Sequence, residues 1–481
     1  MKKLILLTYL VGNFGVFGQS AVQGNGKFRT LNLIEAVDIA YQNNLTIKTS
    51  QINLENSELD LKQAKNNFLP NINGNINEAG SFGRSLNPFT NTYDPRNINY
   101  NNLNLSANIL LFNGGNLKNS KSAAEYNLKA SEKDLEDVKN TIGLQVALAY
   151  LNILNAEDQL AVAEAQTQIT QLQIERTQKL VDAGTLPNTN LLELKAQLAS
   201  EFSNVINFKG TLDLNKLTFI QLLNEPSIQD IKLERMNVPV PNSSAYENKL
   251  EEVFQAALAS QPNIQSAKFR VIGAEKNYQV AKSLILPTLS LGSSWSANQS
   301  NALKERIYEG IESVDFGNVE VLGNVFPVKL QQPVYSTGST IGYFDQLKQT
   351  NNKVISLNLR IPIFAQGNNK TQIRKANLQK INAENEAQKI YQTLRQNIEQ
   401  AYINMFNSAK NYEAVNTQVI SLQEAFRAAE SSYNVGAIDF VSYNLQKTNL
   451  DKAKLNLIQA KYDYVFRTKV LDFYSGKNLT F

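Results

Sequence analysis

The chain has no cysteine and no histidine among its 481 residues. That excludes disulfides, a lipidated cysteine anchor, imidazole acid–base chemistry and zinc sites of the usual kind. Enzymes built on carboxylates or a Ser/Lys pair survive the test, but no motif for either occurs. No catalytic residue, cofactor or metal site is therefore expected, and a periplasmic hydrolase on a helical scaffold is the least supported reading. Methionine is scarce too, three in all, which disfavours a dedicated soft-metal pathway. A formal charge of +4 without any Lys/Arg run gives no reason to expect a nucleic-acid partner. Long apolar runs are also missing, so no segment has the ~20 residues of a membrane helix. The apolar stretch Leu4 to Phe17, behind Lys2-Lys3 and ending at Gly18, reads as a secretory signal over residues 1–18. If the exported chain enters a membrane, strands must carry it.

What is present is a duplication. Gly184 and Gly436 lie 252 positions apart, as do Tyr150 and Tyr402, Phe112 and Phe364, and Leu105 and Leu357. Nearer the start of each half the offset is 217, relating Glu35 to Glu252 and Leu69-Pro70 to Leu286-Pro287. Each half opens with two helical patterns and stops at that Leu-Pro, where proline cannot continue a helix. The period then changes to two. Ile72, Gly74 and Ile76 alternate with asparagines, and Leu103, Leu105, Ala107 and Ile109 oppose Asn102, Asn104, Ser106 and Asn108. In the second half Leu289, Leu291 and Trp295, then Ile355, Leu357 and Leu359, repeat the pattern. Such strands suit a transmembrane barrel and equally a half-buried soluble sheet. The rise in offset from 217 to 252 makes the second connection 35 residues longer, a long loop over about 296–352.

After each return strand comes a very long helix. Between Gly115 and Gly184 the only interior glycine is Gly143, and there is no proline. Apolar residues recur in steps of three and four, as at Ile142, Val146, Ala149, Ile153 and Ala156. Gly184 and Gly436 suit a left-handed helix end. Asn190 with Glu193 resembles a capping box, and Asp439 can cap the second restart. The returning helices run through Leu191, Leu194, Leu198, Phe202 and Val205 to about Leu223, and from about Val441 to Leu471. Pro226 to Ser244, with Pro239 and Pro241, reads as a linker.

Helix, helix ending in Leu-Pro, two strands, a very long helix, a glycine bend and a returning helix, all duplicated, resembles the outer-membrane efflux protein (TolC) family. The resemblance implies a mainly α chain with a small membrane β part. Its duplicated long-helix hairpins would form a trimeric α-barrel, with a 12-stranded transmembrane β-barrel to which each protomer gives four strands. It further implies a signal peptide over 1–18, a first repeat over 19–223, an equatorial linker over 224–248, a second repeat over 249–474 and a tail over 475–481. The function implied is a passive exit duct of a tripartite efflux or type I secretion system. The partners implied are two further copies of the chain, a periplasmic adaptor, an inner-membrane pump and outer-membrane lipid, and the location is the outer membrane without lipidation.

In such a protein the two bends form the periplasmic tip, where the tube closes and the adaptor docks. On that basis Gly184, Leu186, Asn190, Glu193, Tyr433, Gly436, Ile438, Asp439, Ser442 and Leu445 are the candidate tip residues. Tyr433, three before Gly436, matches the family's aromatic. The acidic residues that some members carry six and nine positions after the second glycine are absent, replaced by Ser442 and Leu445. The basic residue two after it is Ile438. Arg360, facing the barrel interior, reads as a solvated charge. A secreted coiled-coil filament or surface-layer protein remains the alternative; it has no need of four two-faced strands.

Overall fold

The computed structural model describes residues 29–86, 93–94, 97–235 and 249–477. The expected signal segment, residues 236–248 of the expected linker and 478–481 of the tail lie outside the described residues. The first half contains β1 (Arg29–Leu31), α1 (Leu33–Asn43), α2 (Leu45–Asn66), β2 (Asn71–Ser81), β3 (Ser85–Leu86) and β4 (Tyr93–Asp94). It continues with β5 (Ile98–Phe112), α3 (Asn116–Asp182) and α4 (Asn188–Leu223). Between the halves lies β6 (Ile231–Leu233). The second half runs α5 (Leu250–Ser260), α6 (Pro262–Lys282), β7 (Thr288–Ser300), β8 (Lys304–Val321) and β9 (Asn324–Thr340). It ends with α7 (Tyr343–Gln349), β10 (Asn352–Arg360), α8 (Asn368–Asn434) and α9 (Phe440–Tyr474). The duplication survives in detail, since α3 and α8 each span 67 residues. At ~1.5 Å per residue each is roughly 100 Å long. Among the described residues no helix is long and apolar enough to cross a membrane.

The chain divides into two compact units. One comprises Met1–Leu54, Ser131–Ser266 and Gln388–Phe481. Its largest core gathers Ile142, Val146, Tyr150 and Ile153 of α3 with Phe219 and Leu223 of α4, Leu33 and Ala36 of α1, and Tyr462 of α9. The Tyr150 ring meets Phe219 edge-on at 6.0 Å, and its hydroxyl donates to the Glu234 carbonyl at 2.6 Å. Burial of each such side chain contributes on the order of 1.5–3 kcal/mol. A second core sets Val253, Phe254 and Ala257 of α5 against Leu394, Ile398 and Met405 of α8. The expected linker is more ordered than its prolines suggested. Within it β6 pairs in parallel with β1, Arg29 opposite Ile231, and Ile228, Ile231 and Leu233 are buried in the first core. Two apolar residues either side of Lys232 are too few to separate a short strand from a linker by pattern alone.

The other unit comprises Glu55–Ala130 and Ala267–Ala387. Its sheet has the order β10-β7-β5-β2, antiparallel throughout. Asn71, Asn73, Asn75 and Asn77 stand opposite Asn108, Ser106, Asn104 and Asn102, while Ile72 and Ile76 stand opposite Ala107 and Leu103. Asn102 donates from Nδ2 to Asn298 Oδ1 at 2.7 Å across the next ladder. On the opposite face Leu105 pairs with Trp295, and Leu357 with Leu291. Leu105 and Leu357 are exposed, as is Ile355 on the same face by 79%, while Trp295 is half-buried. One face is thus asparagine and serine, the other uncovered hydrocarbon, and the outer edges of β2 and β10 are unpaired in that sheet.

The long loop expected over about 296–352 is instead mostly regular. β8 and β9 pair as a hairpin from Lys304 opposite Thr340 to Val321 opposite Asn324, and α7 follows. Two features hid it from the sequence. The ladder slips beside Arg306, Gly310 and Gly317, so the period of two is lost in β8. Pro327 and Pro333, ordinarily strand breakers, are tolerated in a two-stranded ribbon whose outer edges need no donor. The turn places Leu322 (φ 52°) and Gly323 (φ 78°) in the left-handed region, the backbone of a tight hairpin without the usual Asn-Gly.

Candidate functional site

The two helical bends are built alike. At the first, Gly184 (φ +71°) donates its N–H to the Val181 carbonyl at 2.9 Å, and Thr185 donates to Leu180 at 2.9 Å. At the second, Gly436 (φ +75°) donates to Tyr433 at 3.0 Å and Ala437 to Ser432 at 2.8 Å. Both are Schellman ends, in which a left-handed residue lets two trailing N–H groups satisfy carbonyls of the last turn. A Cβ at either glycine would touch nothing within 4 Å, so backbone conformation alone selects glycine there.

The helices restart differently from one another. Asp439 caps α9, its carboxylate accepting from the Ser442 N–H at 2.8 Å, as expected. That hydrogen bonding to Ser442 holds the Asp439 carboxyl below its ordinary range. The capping box expected of Asn190 and Glu193 does not form. Pro187 occupies the cap of α4 without a side-chain bond, so Asn190 falls inside the first turn. Proline's fixed φ prepares a helix start, and the helix begins three residues earlier than the polar pattern suggested.

Freed from capping, Asn190 lies beside the Tyr433 hydroxyl, where the start of α4 meets the end of α8. Burial raises the Tyr433 hydroxyl above its usual range, and the neighbouring Asn190 side chain and the Arg176 charge oppose that shift. Tyr433 stacks on Tyr443 at 4.9 Å between ring centres and meets Phe440 edge-on at 6.0 Å. Phe426 lies 5.6 Å from Tyr443 on another side. These rings pack with buried Ile174, Leu191 and Leu194 and with the half-buried Ile438. Burial above all, then the charge of Glu430, pushes the Tyr443 hydroxyl up to about 12. Gln173 donates to that hydroxyl.

Of the ten candidates, then, the structure brings Asn190, Tyr433 and Ile438 together at one aromatic cluster. Gly184 and Gly436 shape the bends and Leu186 is half-buried beside the first. Glu193, Asp439, Ser442 and Leu445 are exposed.

Further along the returning helices is a charged cluster that is not among those ten candidates. Lys447 of α9 places Nζ 3.0 Å from Glu201 Oε1 of α4, 2.8 Å from Thr170 Oγ1 of α3 and 3.5 Å from Asp451 Oδ2. The Lys447 and Glu201 side chains are 5% and 6% exposed. Burial raises the Asp451 carboxyl, with Lys447 pulling it back down. Phe202, expected on the apolar seam of α4, is exposed, and Glu201 takes the inward position. The available signal was the spacing Phe440, Tyr443, Lys447, Leu450, which puts a lysine on the buried stripe of α9. Among the described residues no cluster of acidic side chains could hold a metal ion.

A family profile described as outer membrane efflux protein matches residues 36–225 and 253–477. Outer membrane protein TolC of Escherichia coli is 22% identical over 329 residues, which cover 68% of this chain and 59% of that protein. The match thus spans less than two thirds of TolC. Outer membrane efflux protein BepC of Brucella suis is 22% identical over 471 residues, covering 98% of this chain and 89% of BepC. Among solved structures, CusC superposes with a TM-score of 0.75 at 17% identity, covering 93% of this chain and 92% of its own. At that identity the likeness concerns the fold.

Proposed function

The chain belongs to the outer membrane efflux protein (TolC) family, and from that premise we propose that it is the exit duct of a tripartite efflux or type I secretion system. The observation that carries this reading is the four-stranded sheet, with hydrocarbon uncovered on one face, neutral polar side chains on the other and two unpaired edges. Water does not favour a wide uncovered apolar face, and lipid does not tolerate free backbone edges. Three copies remove both problems, closing twelve strands into a barrel with asparagine and serine inside. The helical hairpins then form the periplasmic tube, encircled by the equatorial region around residues 224–248. Residues 1–18 serve as the export signal, and 19–223 and 249–474 are the two repeats.

The bends close the tube and receive the adaptor's hairpins, with an inner-membrane pump supplying the energy. Gly184 and Gly436 shape that surface, and Leu186, Glu193, Ile438, Asp439, Ser442 and Leu445 present it. The neighbouring Tyr433 and Asn190 side chains and the rings around them support a tip closed by neutral contacts, in place of an acidic ring at Ser442 and Leu445.

The first test is the mass of the particle extracted from isolated outer membranes in mild detergent. A detergent-dependent particle of three chains is expected. A monomer or open polymer, soluble without detergent, would refute the duct and favour a secreted coiled-coil assembly.

A further inference from the structure

The polar face of the four-stranded sheet is almost without charge. Its positions on β2, β5, β7 and β10 are chiefly Asn, Ser and Thr, and among the described residues of these strands the one charged side chain on it is Arg360, opposite Thr288. The charged residues Glu78 and Lys353 lie toward the other end of the sheet, and alternation puts them on the hydrocarbon face, where Lys353 stands opposite Trp295. Arg360 is exposed at the end of β10 and has no ion pair among the described residues. It lines a recess of about 580 Å³ with Asn113, Asn116, Thr288 and Asn369, and no carboxylate shares that lining. Its positive field is therefore locally unopposed.

Resting on the duct reading above, we propose that Arg360 is the charge-selecting residue of the barrel. Three copies form a ring of positive charge at one end of an otherwise neutral lining and favour anionic over cationic solutes. Rings of Arg or Lys are the usual basis of anion preference in pores. Three unit charges about 10 Å from the axis, screened over about 10 Å in 0.1 M salt, enrich anions about twofold and deplete cations about twofold. The anion-to-cation ratio at that level then changes about fourfold. Organic anions are the cargo class this ring favours.

The experiment measures reversal potentials of the full-length protein in planar bilayers under a potassium chloride gradient near 0.1 M. Wild type, R360K, R360Q and R360E are compared, each also in the N190A background so that the barrel carries more of the resistance. The chloride-to-potassium permeability ratio is expected to hold in R360K, fall up to about fourfold in R360Q and fall further in R360E. The differences should shrink near 1 M salt, where the screening length is about 3 Å. A structural role for Arg360 would not order the variants by charge or respond to salt in this way. Normal conductance with an unchanged ratio in both R360Q and R360E overturns the assignment while leaving the duct intact. Absence of any conductance from the trimers in both the wild-type and the N190A background overturns the duct reading, and this proposal with it. If R360E fails to assemble, R360Q against wild type at the two salt concentrations decides by the same criterion.

Discussion

Replacing Lys447 by methionine is expected to cost the helical unit about 3–5 kcal/mol, more than most single substitutions. The magnitude follows from what the change leaves behind. Nζ lies 3.0 Å from Glu201 and 3.5 Å from Asp451, and the Lys447 side chain is 5% exposed. Its removal leaves the buried Glu201 carboxylate without its cation and Asp451 with the Lys454 charge alone, and Glu201 Oε2 already lacks a partner. The loss also depends on pH. Burial already raises the Asp451 carboxyl in the folded protein, and Lys447 is the largest influence pulling it down. Without Lys447 the folded protein holds a proton that the unfolded chain releases near pH ~4. Stability then declines as pH rises from there through the raised folded value. Urea unfolding of the detergent-solubilised protein, followed by far-ultraviolet circular dichroism, should show a smaller K447M penalty at about pH 5 than at about pH 8. The double variant K447M/E201M exchanges the pair for apolar side chains of similar length and should recover more than half of the loss. A penalty under about 1 kcal/mol, one equal at both pH values, or a double variant no better than K447M would refute the reasoning.

Four further outcomes can be checked. Valine at Gly184 or Gly436 costs about 1–2 kcal/mol through left-handed backbone alone. Either variant should lose export while its trimer still forms in the outer membrane, and normal export by both would remove the bends from the account. N190A and Y433F remove the polar contact between the two helices at the tip and should raise single-channel conductance and sensitivity of cells to bulky hydrophilic antibiotics; unchanged values in both would place closure elsewhere. Y443F leaves Gln173 without its acceptor and should lower stability by about 1–2 kcal/mol in the same urea assay. Removing residues 305–339, most of the β8–β9 hairpin, should leave trimer mass unchanged, since β7 and β10 pair with each other without it.

The duplicated frame was legible because it rests on strong local physics. Leu69-Pro70 and Leu286-Pro287 end helices, Gly184 and Gly436 reverse the chain, and Asn/Leu alternation can only be a two-faced strand. Asn190 was misplaced because one proline shifted the start of α4 and turned an apparent cap into a neighbour of the Tyr433 hydroxyl. Lys447 and Glu201 were invisible for another reason. A charged residue on a helical stripe ordinarily reads as solvated, and its partner stands 246 positions away on a different hairpin. The β8–β9 hairpin escaped because bulges and prolines erase the periodicity by which strands are recognised.

The β5–β7 ladder has a consequence for biogenesis. β2 and β5 are neighbours in the chain, but β5 must wait for β7, with Tyr100 opposite Ser300 and Phe112 opposite Leu289. At about 5–20 residues per second, the intervening stretch takes on the order of 10–40 s to synthesise. Through that interval a finished hairpin has an unpaired edge and a bare apolar face in an aqueous compartment. Pairing across so long a separation is intrinsically slow and open to aggregation. The early β2–β5 hairpin is therefore the segment most open to aggregation, and the vulnerable period closes only when β7 becomes available to pair with β5.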